Sequence, residues 1–480
     1  MATKDHLDEV SNGPFGSKVT NFAVVEKVGN NAADSVGNQN FTNQNSEKIS
    51  GSTMFGEGSI GKIRFAGLAY MLQEEGVIDL QTNARDFFAS KKVGDFLEKK
   101  YPDQSEKLQS EIVKLFADDS AQATLADLTT HRSGIGDLTR DQSKLFEEKG
   151  VEHKYTLPEL LLTPRDPALT GANQKPKVQT APHLPDAKYG EHQYSNLGYM
   201  LLGLAMETSY DAAKKPEQQK DYKQLMRDYM LHPIEGRAVG KGLSFDQTKF
   251  PEDLTASDDL AKTKWLEDGK LADPTKFSGA NAAGGMFASA DDSTKFFGEF
   301  FKGFPRSPET QNPFFSKATI DAMMQESQKF PSCSPDGKSF QGPGFVIEND
   351  ENSQLISFVK GGGTYGNASY LTVDAKTGEA KIILYAQENV TDEIAKRSDM
   401  EISALMGKYS DKTGIFYRYK MLEKEAPEIE ITQETEISDA VKEAVEALQK
   451  NDATASLDRE QNASNLAETT TTKEDKSASH

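Results

Sequence analysis

Ser59-Ile60-Gly61-Lys62 runs straight into Ile63-Arg64-Phe65-Ala66-Gly67-Leu68-Ala69-Tyr70-Met71-Leu72, a stretch that is apolar on nearly every side. Such a helix has no face to give to water, so it belongs inside the protein and the rest of the chain must be built around it. Gln73-Glu74-Glu75-Gly76 supplies the stop, with glycine where a helix C-terminus favours left-handed backbone. Residues three apart share a helix face, so the Ser59 hydroxyl and the Lys62 amine meet at the mouth of this buried helix. A serine hydroxyl is a poor nucleophile until a base or a favourable field helps remove its proton. The unpaired N–H groups of a helix start add stabilisation for an oxyanion.

The same residues carry other readings. Gly56-Glu57-Gly58-Ser59-Ile60-Gly61 fits the G-x-G-x-x-G dinucleotide fingerprint, with Asp79 as a ribose-binding acid, and this defines a nucleotide-binding oxidoreductase as the alternative. The fingerprint needs an apolar strand before its first glycine, and Lys48-Ile49-Ser50-Gly51-Ser52-Thr53-Met54-Phe55 is a weak one. A phosphate-binding loop over Gly56 to Lys62 lacks the hydroxyl that holds magnesium, because Ile63 stands in its place. The plainest reading is a small-residue turn before an ordinary core helix.

Two further segments bear on the choice. Tyr194-Ser195-Asn196 opens another apolar helix pattern, Leu197 to Met206. It presents a phenol and an amide to a pocket, or else a tyrosine anchored to backbone with Asn196 as a helix cap. Nearby cations favour a phenolate, which makes Tyr194 a usable base. Lys360-Gly361-Gly362-Gly363 follows the strand pattern Gln354 to Phe358 and precedes Asn367 to Val373. Glycines there permit a substrate to approach the backbone, although a glycine cluster between strands also serves as a bulge or turn.

Together the three segments resemble the serine β-lactamase and penicillin-binding-protein superfamily, in the branch of class C β-lactamases, D-amino-acid peptidases and related esterases, over residues 20 to 422. The resemblance implies a β-lactamase/transpeptidase-like α+β fold, a mainly antiparallel sheet flanked by helices with a helical subdomain. It implies Ser59 as the acyl-accepting nucleophile, with Lys62 and Tyr194 handling protons. Asn196, Lys360 and Gly362 are the implied substrate contacts, and the backbone N–H groups of Ser59 and Gly363 the implied oxyanion donors. Thr124 to Ile135 is similar to a loop between the first two motifs, with His131 structural. Ala283 to Asp292 resembles a Gly-Gly turn into a helix, with Ser289 as N-cap. Two departures stand out: Gly361 lacks the hydroxyl that a K-T-G wall offers to a substrate carboxylate, and Gly61 replaces a common Ser or Thr. An esterase, amidase or peptidase fits at least as well as a β-lactamase. A ligand-binding relative without turnover is the other alternative. The literal Lys376-Thr377-Gly378 falls between two strand patterns and reads as a surface turn.

The order of patterns, strands then helices then strands, suggests that both ends of the catalytic region share one sheet. A net charge of −20 without a basic stripe argues against nucleic acid. The resemblance implies a small-molecule or peptide-like substrate. Cys333 is the one cysteine, so no internal disulfide is possible. Seven histidines form no metal-ligand pattern, and neither a metal nor a cofactor is expected. No eighteen-residue apolar run predicts a membrane span. The polar start, Met1 to Leu7, is unlike a secretory signal, which predicts a cytoplasmic protein or export without a cleavable signal. The expected organisation is a polar arm over 1–19, a catalytic domain over 20–422 and an acidic, mostly disordered tail over 423–480. Within the tail, Ser438 to Lys450 carries an amphipathic pattern that suits a protein partner. Pro158 to Pro185 reads as a long surface loop beside the pocket, and Val93 to Gln122 as a helical insertion over the cleft.

Overall fold

The computed structural model describes residues 22–37, 42–137, 153–162, 188–233, 242–261, 264–267, 270–272, 281–307, 311–334, 336–364 and 367–390. The expected arm over 1–19, the tail over 423–480 with its amphipathic segment, and residues 163–187 of the proline-rich stretch lie outside them.

In chain order the elements begin with β1 (Phe22–Val28), β2 (Asp34–Gly37), β3 (Met54–Gly56), α1 (Gly61–Glu74), α2 (Ala84–Ala89), α3 (Lys91–Lys100) and α4 (Ser105–Leu115). Next come α5 (Leu125–Thr129), α6 (Leu157–Leu162), α7 (Asn196–Ala213), α8 (Tyr222–Met226), β4 (Thr248–Lys249), β5 (Lys264–Glu267) and β6 (Lys270–Ala272). The described part ends with β7 (Phe287–Ser289), α9 (Ala290–Phe300), α10 (Lys317–Gln328), β8 (Ser339–Gln341), β9 (Val346–Asn349), β10 (Leu355–Thr364), β11 (Asn367–Asp374) and β12 (Ala380–Val390).

The main sheet runs β2-β1-β12-β11-β10-β9-β8, with β5 and β6 joined off that path. Its neighbours along the path are antiparallel, and β1 lies against β12 with Val25 opposite Leu384. The first and last described strands therefore share one sheet, as the order of patterns suggests, and the architecture is α+β. A small second sheet, β3-β7-β4, is antiparallel.

Helix α1 is the axle of the core. Every residue from Gly61 to Leu72 is buried, and the helix packs against α7, α8 and α10, while α9 covers the sheet at β1 and β12. Its end is the glycine stop expected from sequence: Gly76 has φ +71°, its N–H donates to Gln73 O at 2.9 Å, and Val77 N donates to Leu72 O at 2.9 Å. Ser289 caps α9 by accepting from Asp292 N at 3.1 Å. Lys376-Thr377-Gly378 is an exposed turn held by Asp374, whose Oδ1 accepts from Lys376 N and Thr377 N at 2.9 and 2.7 Å.

Three expectations need correction. The strand before Gly56 is only Met54–Gly56 and pairs antiparallel with β7, so the strand–turn–helix of a parallel dinucleotide-binding unit is not formed there. The proline-rich stretch starts as helix, not loop: Leu157–Leu162 is α6, with Pro158 in its first turn, where a missing N–H costs nothing. Helix α3, where the expected insertion over the cleft begins, lies against the far half of α7 and not its mouth, because Lys92 and Lys100 bond Ser209 and Glu207. At 1.5 Å per residue those partners lie roughly 16–20 Å along α7 from Asn196.

One ionic pair is wholly inside. Arg64 Nη1 donates to both carboxylate oxygens of Glu57, at 2.8 and 3.0 Å, and both side chains have no exposure. Phe296 and Phe297 flank the guanidinium, with ring centroids 4.2 and 4.5 Å from its carbon. Ser293 Oγ donates to Glu57 Oε1 at 3.2 Å. Burial raises the Glu57 pKa and lowers that of Arg64, so each charge depends on the other. Arg64→Met is expected to lose about 3–5 kcal/mol in urea unfolding, and Glu57→Gln/Arg64→Met to recover much of it. A single-variant loss under about 1 kcal/mol would show the pair to be dispensable.

Candidate active site

Ser59 sits in the short 3-10 turn Gly58–Ile60 that feeds α1. The turn is pressed against β10, which two glycines make possible. Gly58 has φ +56°, and a Cβ built there would fall 2.5 Å from Gly363 N. A Cβ on Gly362 would fall 2.2 Å from Glu57 O and 2.9 Å from Ser59 N. Hydrogen bonds from β11 fix the same turn: Ser369 Oγ donates to Glu57 O at 2.6 Å, and Gly56 N donates to Asn367 Oδ1 at 3.2 Å. Glu57 N donates to Met286 O at 2.9 Å. The main chain of Ser59 thus lies beside that of Gly362 and Gly363.

Tyr194 reaches the turn from the segment before α7. Gln193 N donates to His131 O at 2.9 Å, Ser195 N to His131 Nδ1 at 3.2 Å, and Ser195 Oγ to Gly136 O at 2.9 Å. The helix cap is Ser195, which accepts from Gly198 N at 3.0 Å, not Asn196. His131 is buried with its ring centroid 4.4 Å from that of Tyr194, which fits the structural part expected of it. Because Nδ1 accepts, burial and the surrounding cations that depress its pKa keep this imidazole neutral.

At the centre, Ser59 Oγ lies 2.5 Å from Tyr194 Oη and 3.1 Å from Lys62 Nζ. Lys62 Nζ also donates to Asn196 Oδ1 at 2.6 Å and to Ala283 O. Lys360 Nζ stands 5.1 Å from the Tyr194 ring centroid, and Lys62 Nζ 4.9 Å from it. The structure therefore brings Ser59, Lys62, Tyr194, Asn196, Lys360, Gly362 and Gly363 to one place.

Electrostatics assign different states to these groups. Burial drives the Lys62 pKa well below that of an ordinary lysine, Lys360 pushes the same way, and Asp137 opposes them. Burial lowers Lys360 to about 8. Tyr194 moves against the expectation of a cation-stabilised phenolate: burial raises its pKa, Asp137 adds to the rise, and the Ser59 hydrogen bond only partly offsets it. Desolvation of the phenolate outweighs the neighbouring amines, so Tyr194 keeps its proton. Sequence reasoning missed Asp137, which holds Asn196, and the carbonyl of Ala283. Neither carries a local signal, since each acts through a contact made only by folding. Among the described residues, no group of three His, Cys, Asp or Glu is placed to hold a metal ion, and no helix is long and apolar enough to cross a membrane.

The beta-lactamase family model matches residues 23–403, so the chain belongs to the beta-lactamase family, a family of serine hydrolases, and its fold is β-lactamase/transpeptidase-like. Among solved structures it is similar to a D-stereospecific amidohydrolase from Streptomyces sp., at 17% identity and TM-score 0.54 over 80% of this chain and 94% of that one. It is also similar to an octameric penicillin-binding protein homologue from Pyrococcus abyssi, at 19% identity and TM-score 0.55 over 89% of this chain and 82% of that one. A D-amino acid amidase from Ochrobactrum anthropi SV3, complexed with L-phenylalanine amide, matches at 17% identity and TM-score 0.50, over 85% of this chain and all of that one. No curated protein sequence matches at a significant level.

The glycine contacts give a paired prediction. Gly362→Ala forces β10 away from Ser59 N and is expected to slow labelling by a fluorophosphonate on the order of 100-fold. Gly361→Ala, whose Cβ would meet nothing closer than 3.9 Å, is expected to label like the wild type. Equal rates for the two variants would contradict the close approach.

Proposed function

We propose that the protein hydrolyses an ester, amide or peptide bond through an acyl-enzyme on Ser59. The observation that carries this is the position of one hydroxyl, Ser59 Oγ, between a buried amine at 3.1 Å and a phenol at 2.5 Å. A neutral amine on Lys62 takes the Ser59 proton as Oγ bonds to the substrate carbonyl carbon, and the carbonyl π electrons move onto oxygen. The N–H groups of Ser59 and Gly363 stabilise that oxyanion. As the tetrahedral centre collapses, the bond to the leaving nitrogen or oxygen breaks and the leaving group takes the Tyr194 proton, which the Lys62 ammonium replaces. Water then adds to the acyl carbon by the same proton transfers in reverse, releasing the acid and free Ser59.

Asn196 and Lys360 line the substrate side in this scheme. Lys360 also helps keep Lys62 unprotonated, and so available to take a proton, which supports placing the general base on Lys62 rather than Tyr194. The wall at Gly361 carries no hydroxyl for a substrate carboxylate, so ligands without an obligatory carboxylate suit it. D-amino-acid amides and simple esters are the first substrates to test, and the C-terminal tail is the place to seek a protein partner. The nucleotide-binding reading loses its support with the antiparallel pairing of β3.

Two outcomes follow. Intact mass spectrometry after fluorophosphonate treatment is expected to show a single adduct that Ser59→Ala abolishes, and equal labelling of that variant would sink the mechanism. The pH profile of kcat/KM is expected to rise as Lys62 loses its proton and to fall again as Lys360 loses its charge near pH 8. Lys360→Gln is expected to remove the alkaline limb, and an unchanged limb would separate Lys360 from the chemistry.

A further inference from the structure

Asp137 lies in the segment that follows α5 and is buried, at 7% exposure, beside the first residue of α7. Both of its oxygens accept from Asn196: Oδ1 from Asn196 N at 3.1 Å and Oδ2 from Asn196 Nδ2 at 3.0 Å. A carboxylate only accepts hydrogen bonds. The NH₂ of Asn196 must therefore face Asp137, and its carbonyl oxygen must face the other way, where Lys62 Nζ stands at 2.6 Å.

That orientation decides what the amine can do. A neutral amine has two N–H donors and one lone pair. Asn196 Oδ1 and Ala283 O are acceptors only, so together they take both N–H groups. The direction left for the lone pair is toward Ser59 Oγ, 3.1 Å away. Were the Asn196 amide turned over, its NH₂ would donate to that lone pair and silence the base.

We propose that Asp137 is a positioning residue that locks the Asn196 amide and thereby aims the Lys62 lone pair at Ser59. The assignment rests on the acyl-enzyme reading above. Asp137 acts through Asn196 and does not touch the reacting atoms. As Lys62 takes the serine proton, the same carboxylate stabilises the ammonium that forms. The other groups facing Lys62 are Lys360 from β10, Tyr194 and Tyr199 with ring centroids 4.9 and 5.4 Å from Nζ, and neutral His131.

The test follows the rate of Ser59 labelling by a fluorophosphonate against pH. Asp137→Asn no longer dictates the amide orientation and removes a negative charge, so labelling is expected to slow on the order of 100-fold. Its acid limb is expected to move to lower pH, which a merely structural loss would not do. The exchange Asp137→Asn/Asn196→Asp keeps the buried charge and restores the complementarity. The new amide at position 137 donates to the new carboxylate, whose other oxygen accepts from Lys62. That double variant is expected to label faster than Asp137→Asn, with its acid limb above that of the wild type. It also serves as the folded arm if the single variant does not fold. A double variant that labels no faster than the single one, or whose limb stays at the wild-type pH, overturns the assignment. Wild type that takes no label overturns the acyl-enzyme reading and this assignment together, whereas labelled wild type with an unmoved Asp137→Asn rules out Asp137 alone.

Discussion

The amine of Lys62 is held inside the protein with no carboxylate of the described residues in direct contact, and the proposed chemistry of the cleft depends on that placement. Water would keep such a group protonated and useless as a base. Burial takes the water away, Lys360 adds a second repulsion, and Asn196 and Ala283 satisfy the N–H groups without supplying a full counter-charge. Asp137 stands one residue removed, which in the proposed mechanism leaves room for the proton to come and go. A carboxylate bonded directly to Nζ would favour the ammonium and reduce its use as a base.

Holding an amine there requires a scaffold that does not yield. Helix α1 supplies it, because Gly61 to Leu72 are buried between α7, α8 and α10 and the helix cannot turn to expose Lys62. The Glu57–Arg64 pair ties the residues on either side of Ser59 to one another, and its flanking aromatics leave the guanidinium little alternative geometry. Gly58 and Gly362 let two backbones meet without side chains between them, so that the turn and β10 share a wall. Ser369 and Asn367 then bind that turn from β11. Substitution at any of these points reaches the serine through geometry rather than through chemistry.

Much of this frame is legible in the chain itself. The all-round apolar run after Lys62 announces a buried helix, Gly76 ends it, Ser289 starts α9, and Lys376 to Gly378 is the turn that its flanking strand patterns imply. These are local signals, readable from spacing and residue type. What escapes is whatever folding alone creates. Sequence suggests cations near Tyr194 and the structure has them, yet its pKa moves the other way because sequence does not reveal how dry its surroundings are. Asp137 is one acid among many until Asn196 is seen upon it. Helix α3 has the charged pattern of an outer layer, but pattern alone does not tell which end of α7 it lies against.

In the proposed reaction everything turns on Ser59 Oγ, between a base, an acid and two backbone donors. A crystal structure with an arylboronic acid tests this most directly, since boron mimics the tetrahedral centre. The account predicts a covalent bond from Ser59 Oγ to boron, one boronate oxygen between the N–H groups of Ser59 and Gly363, and the other near Tyr194 Oη. A ligand bound without that bond, or a boronate whose oxygens avoid both N–H groups, would contradict it.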